Sequence, residues 1–217
     1  MTTSTKKLTT GPLERRLIKS IIELHYQNGE LTDDDIADTR KIKKKLGELS
    51  KTSKFEFIEE HRASIIDSAR HFKKQKDRDK AILFYAMFFE HTFNNIIERV
   101  CTKRKIERKT ITEIIKNISI HGKTSWLLTL MNLPKLNKSH KDLILKVTEE
   151  RNSFVHYKWT PSADYLVEDE EILNDKIFKQ IENTVTYLKG FESKIIFSNK
   201  KGHFKKNLKT FFYSQHQ

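Results

Sequence analysis

The residue types best suited to chemistry lie close together at Arg151, Asn152 and His156, within the segment LILKVTEERNSFVHYKW at residues 143–159. An arginine can hold two phosphate oxygens as a fork, and a histidine can move protons near neutral pH. An asparagine amide can orient an imidazole or a phosphate oxygen. On a helix, Glu149, Asn152 and His156 occupy one polar stripe, with Arg151 beside it. This combination suits a phosphodiester substrate.

The spacing of Arg151 and His156 is weak evidence when taken alone. In a chain with nine histidines, an arginine followed four to six residues later by histidine is expected by chance about once. A structural role is the alternative: Arg151 could pair with an acid, and His156 could sit at the helix end, where a cation is favoured. The candidate acids are Glu149, Glu150 and Glu90.

The elements that position this segment are predicted to be helices throughout. Glycine (6) and proline (3) are scarce, and apolar residues recur at helical spacing. The predicted helices cover residues 12–26, a second helix from 32, 55–74, 77–99, 110–122, 125–133, 137–157 and 170–189. The helix at 77–99 is apolar on nearly every side and is predicted to be the central one. The fold class is therefore predicted to be all-α.

Glu90 is a single acid inside that apolar helix, and burying it unpaired would be costly. We expect it either to meet a cation such as Arg151 or to face the cleft, as a supporting residue. Tyr157 is a second supporting candidate, directly after His156.

Composition shifts divide the chain into three predicted segments. Residues 1–50 form an N-terminal helical extension, 51–197 the main helical domain and 198–217 a basic C-terminal tail. Arg104 and Lys105 lie in a basic connector after the central helix, and with Lys158 they are candidate RNA-binding residues. The connector and the lysine-rich tail could track an RNA backbone, or they could equally be solvated faces or a disordered end.

The net charge of +13 indicates a polyanionic partner, although a lysine-rich genome composition could also produce it. One cysteine excludes an intrachain disulfide and favours a reducing compartment. The N-terminus carries no secretory pattern, and the longest apolar run, residues 81–89, is too short to span a bilayer. We therefore expect a cytoplasmic protein without a membrane partner. No metal-ligand pattern or phosphate-binding glycine loop is present, so neither a metal nor a cofactor is expected.

The segment Arg151-Asn-Ser-Phe-Val-His156 resembles the R-x4-6-H motif of the HEPN superfamily, including its frequent asparagine after the arginine. Residues 85–97 look like the earlier core helix of that family, and the similarity covers roughly residues 55–189. The resemblance implies a bundle of four or five helices that dimerises and joins two motifs in one cleft. It also implies a metal-independent endoribonuclease of toxin–antitoxin, abortive-infection or other antiviral systems, with a possible antitoxin or sensor protein as partner.

In the chemistry that this resemblance implies, the RNA 2′-hydroxyl attacks the adjacent phosphate, His156 transfers a proton and Arg151 stabilises the charge on the phosphorane. One toxin subgroup has tyrosine two residues after the histidine, where this chain has Lys158, so membership of that subgroup is not expected. Two other hypotheses stay open. The chain could be a catalytically inactive HEPN-like module that binds nucleic acid or a partner protein, or a generic helical adaptor.

Overall fold

A computed structural model describes residues 12–52, 62–155, 170–198 and 200–213 of the chain. The described residues form helices joined by turns, with no strand among them, which confirms the predicted all-α class. The helices are α1 (Pro12–Gln27), α2 (Asp33–Ala37), α3 (Thr39–Thr52), α4 (Arg62–Lys74), α5 (Arg78–Lys103), α6 (Arg108–Asn117), α7 (Ile120–Lys123), α8 (Trp126–Leu130), α9 (Lys138–Val155), α10 (Glu170–Ile196) and α11 (Lys201–Tyr213).

The chain divides into two compact units. The smaller unit comprises Met1–Glu56 together with Asn199–Gln217, and the larger unit comprises Phe57–Ser198. The segments predicted from the sequence at 1–50 and 198–217 therefore fall largely within the same unit. The basic C-terminal segment is helical over residues 201–213, where it forms α11.

In the smaller unit, side-chain caps begin two consecutive helices. The Thr32 hydroxyl accepts from the backbone N–H of Asp35 at 3.3 Å, and the Asp35 carboxylate accepts from the Thr32 N–H at 2.7 Å. Asp38 is extended (φ −112°, ψ 114°), so it ends α2, and its carboxylate accepts from the N–H of Arg40 at 2.8 Å. The helix predicted from Thr32 is therefore two helices, because Asp38 caps the second one.

Helix α11 packs against α2 through one apolar side. Phe204, Leu208 and Phe211 are buried at helical spacing, and the Phe204 ring lies 4.7 Å from the ring of Tyr26, centroid to centroid. Lys200, just before the helix, forms an ion pair with Asp33 at 3.0 Å. Phe204 and Phe211 of this basic segment thus serve as core contacts.

Helix α5 is the centre of the larger unit, and α4, α6, α7, α9 and α10 pack around it. Its sequence has apolar side chains in every direction, so it can be stable only when other helices cover it. The residues buried along it are Ala81, Ile82, Tyr85, Ala86, Phe88, Phe89, Thr92, Phe93, Ile96, Ile97, Val100 and Cys101. The observed helix begins within one residue of the predicted start and runs four residues past the predicted end.

A polar network ties α4, α5 and α10 together. The hydroxyl of the buried Tyr85 donates to Glu182 at 2.6 Å, and Arg70 donates to both Glu182 oxygens at 2.9 and 2.8 Å. The hydrogen bonds from Arg70 hold the pKa of Glu182 below its ordinary value, although burial opposes them. The shared carboxylate therefore stays charged while it satisfies a buried phenol.

His140 links α9 to α10. Its ring stacks on Tyr187 with centroids 4.1 Å apart, and its Nδ1 lies 2.8 Å from the hydroxyl oxygen of Thr184. Thr184 donates its own proton to the Gln180 carbonyl at 3.0 Å, so the Nδ1–H of His140 is the donor of that hydrogen bond. Burial lowers the pKa of His140.

The depressed pKa of His140 predicts a loss of stability in mild acid. The unfolded chain takes up a proton at a higher pH than the folded one, so the stability is present above about pH 6.5 and decreases as the pH falls below it. Urea unfolding at pH 7.5 and 5.5 should show a larger loss of unfolding free energy in the wild type than in His140→Gln. The exposed His121→Gln variant is the control and should follow the wild type. Parallel pH profiles for His140→Gln and the wild type would refute the assignment.

Candidate functional site

Helix α9 carries the described part of the predicted motif near its C-terminal end. Arg151 is partly buried, with 24% of its side chain exposed, and the neighbouring Asn152 is exposed. His156, Tyr157 and Lys158 lie outside the described residues. The geometry of the site is therefore that of Arg151, Asn152 and the side chains around them.

Glu90, in the middle of α5, is the partner of Arg151. One of its carboxylate oxygens accepts a hydrogen bond from Nη2 of Arg151 at 3.1 Å. The sequence predicted either a cation beside Glu90 or a position facing the cleft, and the structure provides the cation. The two other candidate acids do not pair with Arg151 among the described residues; Glu150 pairs instead with Arg78 of α5.

Lys123 is a member of this site that the sequence did not reveal. Its side chain is only 1% exposed, and its ammonium donates to Asn94 Oδ1 at 2.7 Å and lies 3.8 Å from the second oxygen of Glu90. Asn94 follows Glu90 by one turn of α5, so both face the same side. Burial lowers the pKa of Lys123, and the negative charge of Glu90 opposes that effect.

Close packing around α7 holds Lys123 in place. A Cβ on Gly122 would lie 2.7 Å from Ile118 Cγ2 and 3.0 Å from Trp126 Nε1, so the neighbouring side chains leave room only for hydrogen. Ser119 caps the short helix by accepting from the Gly122 N–H at 3.4 Å. Gly122 was predicted to stop a helix, whereas it lies inside one and is required there by packing.

Glu90, Asn94, Lys123 and Arg151, here called the α5–α7–α9 cluster, combine one carboxylate with two cations. The cluster is thus net positive next to an exposed surface, since parts of the Arg151 and Glu90 side chains reach solvent. The Nε of Arg151 is buried and has no hydrogen-bond partner within the described part of the chain. A partly exposed arginine beside the exposed Asn152 amide can bind a phosphate group.

The basic connector lies at the far end of α5. The Arg104 guanidinium donates to the carbonyl of Met131 and so fastens the turn after α8, while Lys105 is exposed in the left-handed region at φ 58°. Fourteen residues separate Glu90 from Arg104, which is about 20 Å along a helix. Within the described residues, neither Arg104 nor Lys105 contacts the α5–α7–α9 cluster.

Four large apolar side chains are exposed on α9 and on α8, the helix that follows α7. Phe154 (44%) and Val155 (46%) follow Arg151 at the end of α9, and Trp126 and Leu130 lie on α8, directly after α7. Phe154 and Val155 therefore place apolar surface in the same helical turn as Asn152.

The described helices provide neither a metal-binding cluster nor a membrane-spanning segment. No three His, Cys, Asp or Glu side chains within the described ranges lie close enough together to hold a metal ion. None of the described helices has the length and hydropathy needed to cross a membrane.

Removing the buried ammonium should weaken the larger unit. Lys123→Met leaves the Asn94 oxygen without its donor and Glu90 with Arg151 alone, so we expect the free energy of unfolding to fall by about 1–3 kcal/mol. Urea unfolding followed by circular dichroism measures the change. Lys116→Met, on the exposed side of α6, is the matched control and should change stability by less than about 0.5 kcal/mol. Equal effects of the two substitutions would show that Lys123 contributes nothing specific.

The comparisons with known proteins do not assign the chain to a family. No family model matches it, and neither a curated protein nor a solved structure matches it.

Proposed function

We propose that this protein is a metal-independent endoribonuclease of the HEPN type that acts as a homodimer. The observation that carries the proposal is the α5–α7–α9 cluster, in which Lys123, Glu90 and Arg151 form a net positive group. Glu90 holds the motif arginine by one hydrogen bond, and the buried Nε of Arg151 has no hydrogen-bond partner among the described residues. A phosphodiester anion is the ligand that such an arrangement fits best.

The proposed reaction needs a base or acid, an anion-stabilising group and the RNA itself. The 2′-oxygen attacks the adjacent phosphorus, the bond to the 5′-oxygen breaks, and a 2′,3′-cyclic phosphate and a 5′-hydroxyl result. His156 transfers a proton in this exchange, and Arg151 stabilises the charge on the phosphorane. Asn152 orients the imidazole or a phosphate oxygen. Glu90 keeps the guanidinium oriented, because it fixes one of the five N–H donors.

A homodimer is proposed because one motif supplies half of a cleft shared by two chains. The exposed Phe154 and Val155 support this arrangement, since they offer apolar area directly beside Arg151 and Asn152. The resemblance to HEPN proteins extends the proposal to a role as a toxin or antiviral effector in the cytoplasm, controlled by an antitoxin or a sensor protein.

The Arg151–Glu90 ion pair also supports the competing function, a catalytically inactive module that binds nucleic acid or a protein. A carboxylate next to an arginine reduces its attraction for a phosphate. If the pair is purely structural, Arg151 contributes to stability alone. The two functions predict different effects of single substitutions on the rate of RNA cleavage.

The test is an RNA cleavage assay with the purified chain in EDTA. Wild type should convert a labelled single-stranded RNA into shorter products and leave DNA of the same sequence intact, because DNA lacks the attacking 2′-hydroxyl. His156→Ala should lower the rate by about 100- to 10,000-fold, the usual contribution of a proton-transferring side chain. The exposed His121→Ala is the matched control and should cleave like wild type. RNA that stays intact with the wild type would overturn the proposal.

Arg151→Lys separates catalysis from stability. Lysine can still form an ion pair with Glu90 but cannot hold a phosphate as a fork. We expect the unfolding free energy to stay within about 1 kcal/mol of wild type, the value of a partly exposed ion pair, while the cleavage rate falls about 100-fold. Full activity of this variant would favour the structural role. Light scattering should give the mass of a dimer, and a monomer with full activity would contradict the shared cleft.

A further inference from the structure

Helix α11 in the smaller unit separates its residues sharply by type. Its buried side is apolar, and its charged residues are lysines that lie on the exposed side. Lys205, Lys206 and Lys209 fall within an arc of about 100° around the helix axis, directed away from the buried Phe204, Leu208 and Phe211. Residues 200–213 contain five lysines and no acid.

Two of the acids on α2, the helix against which α11 packs, are engaged inside the smaller unit. Asp33 accepts from Lys200 at 3.0 Å and from the Tyr26 hydroxyl at 2.9 Å. Asp35 accepts a hydrogen bond from Lys45 at 2.7 Å. Burial raises the pKa of Asp35, but the hydrogen bonds from Lys45 and Thr32 outweigh that effect and lower the pKa to about 2. These carboxylates are therefore not available to neutralise the exposed lysines of α11.

The three lysines have no ion-pair partner among the described residues. They repel one another, and that repulsion is relieved only when an anion lies against them. Exposed basic residues of α3, among them Arg40, Lys43 and Lys44, add to the positive charge of the same unit. The exposed face of α11 therefore carries positive charges only, whereas a solvated helix face commonly carries charges of both signs.

Two further features of α11 indicate what kind of polyanion fits. Tyr213 at its C-terminal end is 76% exposed, so its ring can stack on an unpaired base. Gly202, on the same side, would have no atom within 4 Å of an added Cβ, so a strand can approach the helix closely there. A membrane fits less well, because the apolar residues of α11 are buried in the unit and cannot enter a bilayer.

We propose that the face formed by Lys205, Lys206, Lys209 and Tyr213 binds the backbone of single-stranded RNA, with Tyr213 stacking on a base. The three lysines span about 6 Å of helical rise, and their long side chains can reach neighbouring phosphates of one strand. The surface itself is independent of the cleavage site in the larger unit; only the choice of RNA among polyanions rests on the proposed ribonuclease function.

The test measures binding of a fluorescent 20-nucleotide uridine RNA by anisotropy, between 50 and 300 mM NaCl in EDTA. All proteins carry His156→Ala, so cleavage cannot disturb the measurement. The triple variant K205Q/K206Q/K209Q should bind about 10- to 100-fold more weakly at 100 mM salt. The slope of log K against log salt should fall by about 2, because each lost phosphate contact in a single strand removes about 0.7. Tyr213→Ala should weaken binding several-fold without changing the slope.

The matched control K116Q/K135Q/K138Q removes the same charge from exposed positions of the larger unit. It should leave the affinity within about threefold of the parent. Equal weakening by both triple variants would overturn the proposal, because net charge would then explain the binding.

Vesicles of 70% phosphatidylcholine and 30% phosphatidylserine test whether the surface binds an anionic membrane instead. If the α11 variant loses vesicle binding but keeps its RNA affinity, the surface binds membranes and the proposal is wrong.

Folding is checked by far-ultraviolet circular dichroism, since the buried side of α11 is unchanged in every variant. If the triple variant loses helix, Lys206→Gln and Lys209→Gln are measured singly, and each should lower the slope by about 0.7. The proposed ribonuclease activity is assayed separately with wild type on the same RNA. If the α11 variant binds RNA more weakly but wild type does not cleave it, the ribonuclease proposal is wrong and the α11 proposal is supported. If wild type cleaves RNA but the α11 variant binds it as tightly as its parent, the α11 proposal is wrong and the ribonuclease proposal is supported.

Discussion

The larger unit depends on the need to cover α5 on all sides. A 26-residue helix with apolar side chains in every direction is stable only when several helices surround it, and those helices have to satisfy each polar group that it buries. Tyr85 and Asn95 obtain Glu182 and Glu192 of α10 as acceptors, at 2.6 and 2.7 Å. Glu90 obtains Arg151 of α9 and Lys123 of α7. Tyr85, Glu90 and Asn95 thereby each bond to a helix that packs against α5.

The α5–α7–α9 cluster follows from the same constraint. A carboxylate on a buried helix has a large desolvation cost unless cations lie close to it, and such pairs contribute more to a defined arrangement than to net stability. Glu90 is only partly buried, so one cation would suffice to balance its charge. Two cations beside one carboxylate leave the α5–α7–α9 cluster net positive. A purely structural ion pair would need only one of these cations. A phosphate bound there would restore the balance.

The sequence predicted the elements whose pattern is local. The apolar run at 81–89 with no Gly or Pro predicted α5, and Thr32 followed by three acids predicted the start of α2. Lys123 could not be predicted, because lysine is rarely buried and its burial depends on Asn94 and Glu90, about thirty residues earlier in the chain. The break at Asp38 was missed for another reason. An aspartate inside a helical pattern looks the same whether it continues the helix or caps the next one.

The basic C-terminal segment shows why composition alone could not assign a role to the charge. The lysine count of residues 200–213 is equally typical of a disordered tail, yet Phe204, Leu208 and Phe211 recur at intervals of four and three residues and bury one side of α11. Burial of that side places the lysines on the opposite, exposed side of the helix. Positive charge is therefore placed differently in the two units. In the larger unit, Lys123 and Arg151 lie against the carboxylate of Glu90, whereas Lys205, Lys206 and Lys209 of α11 lie on an exposed helix face.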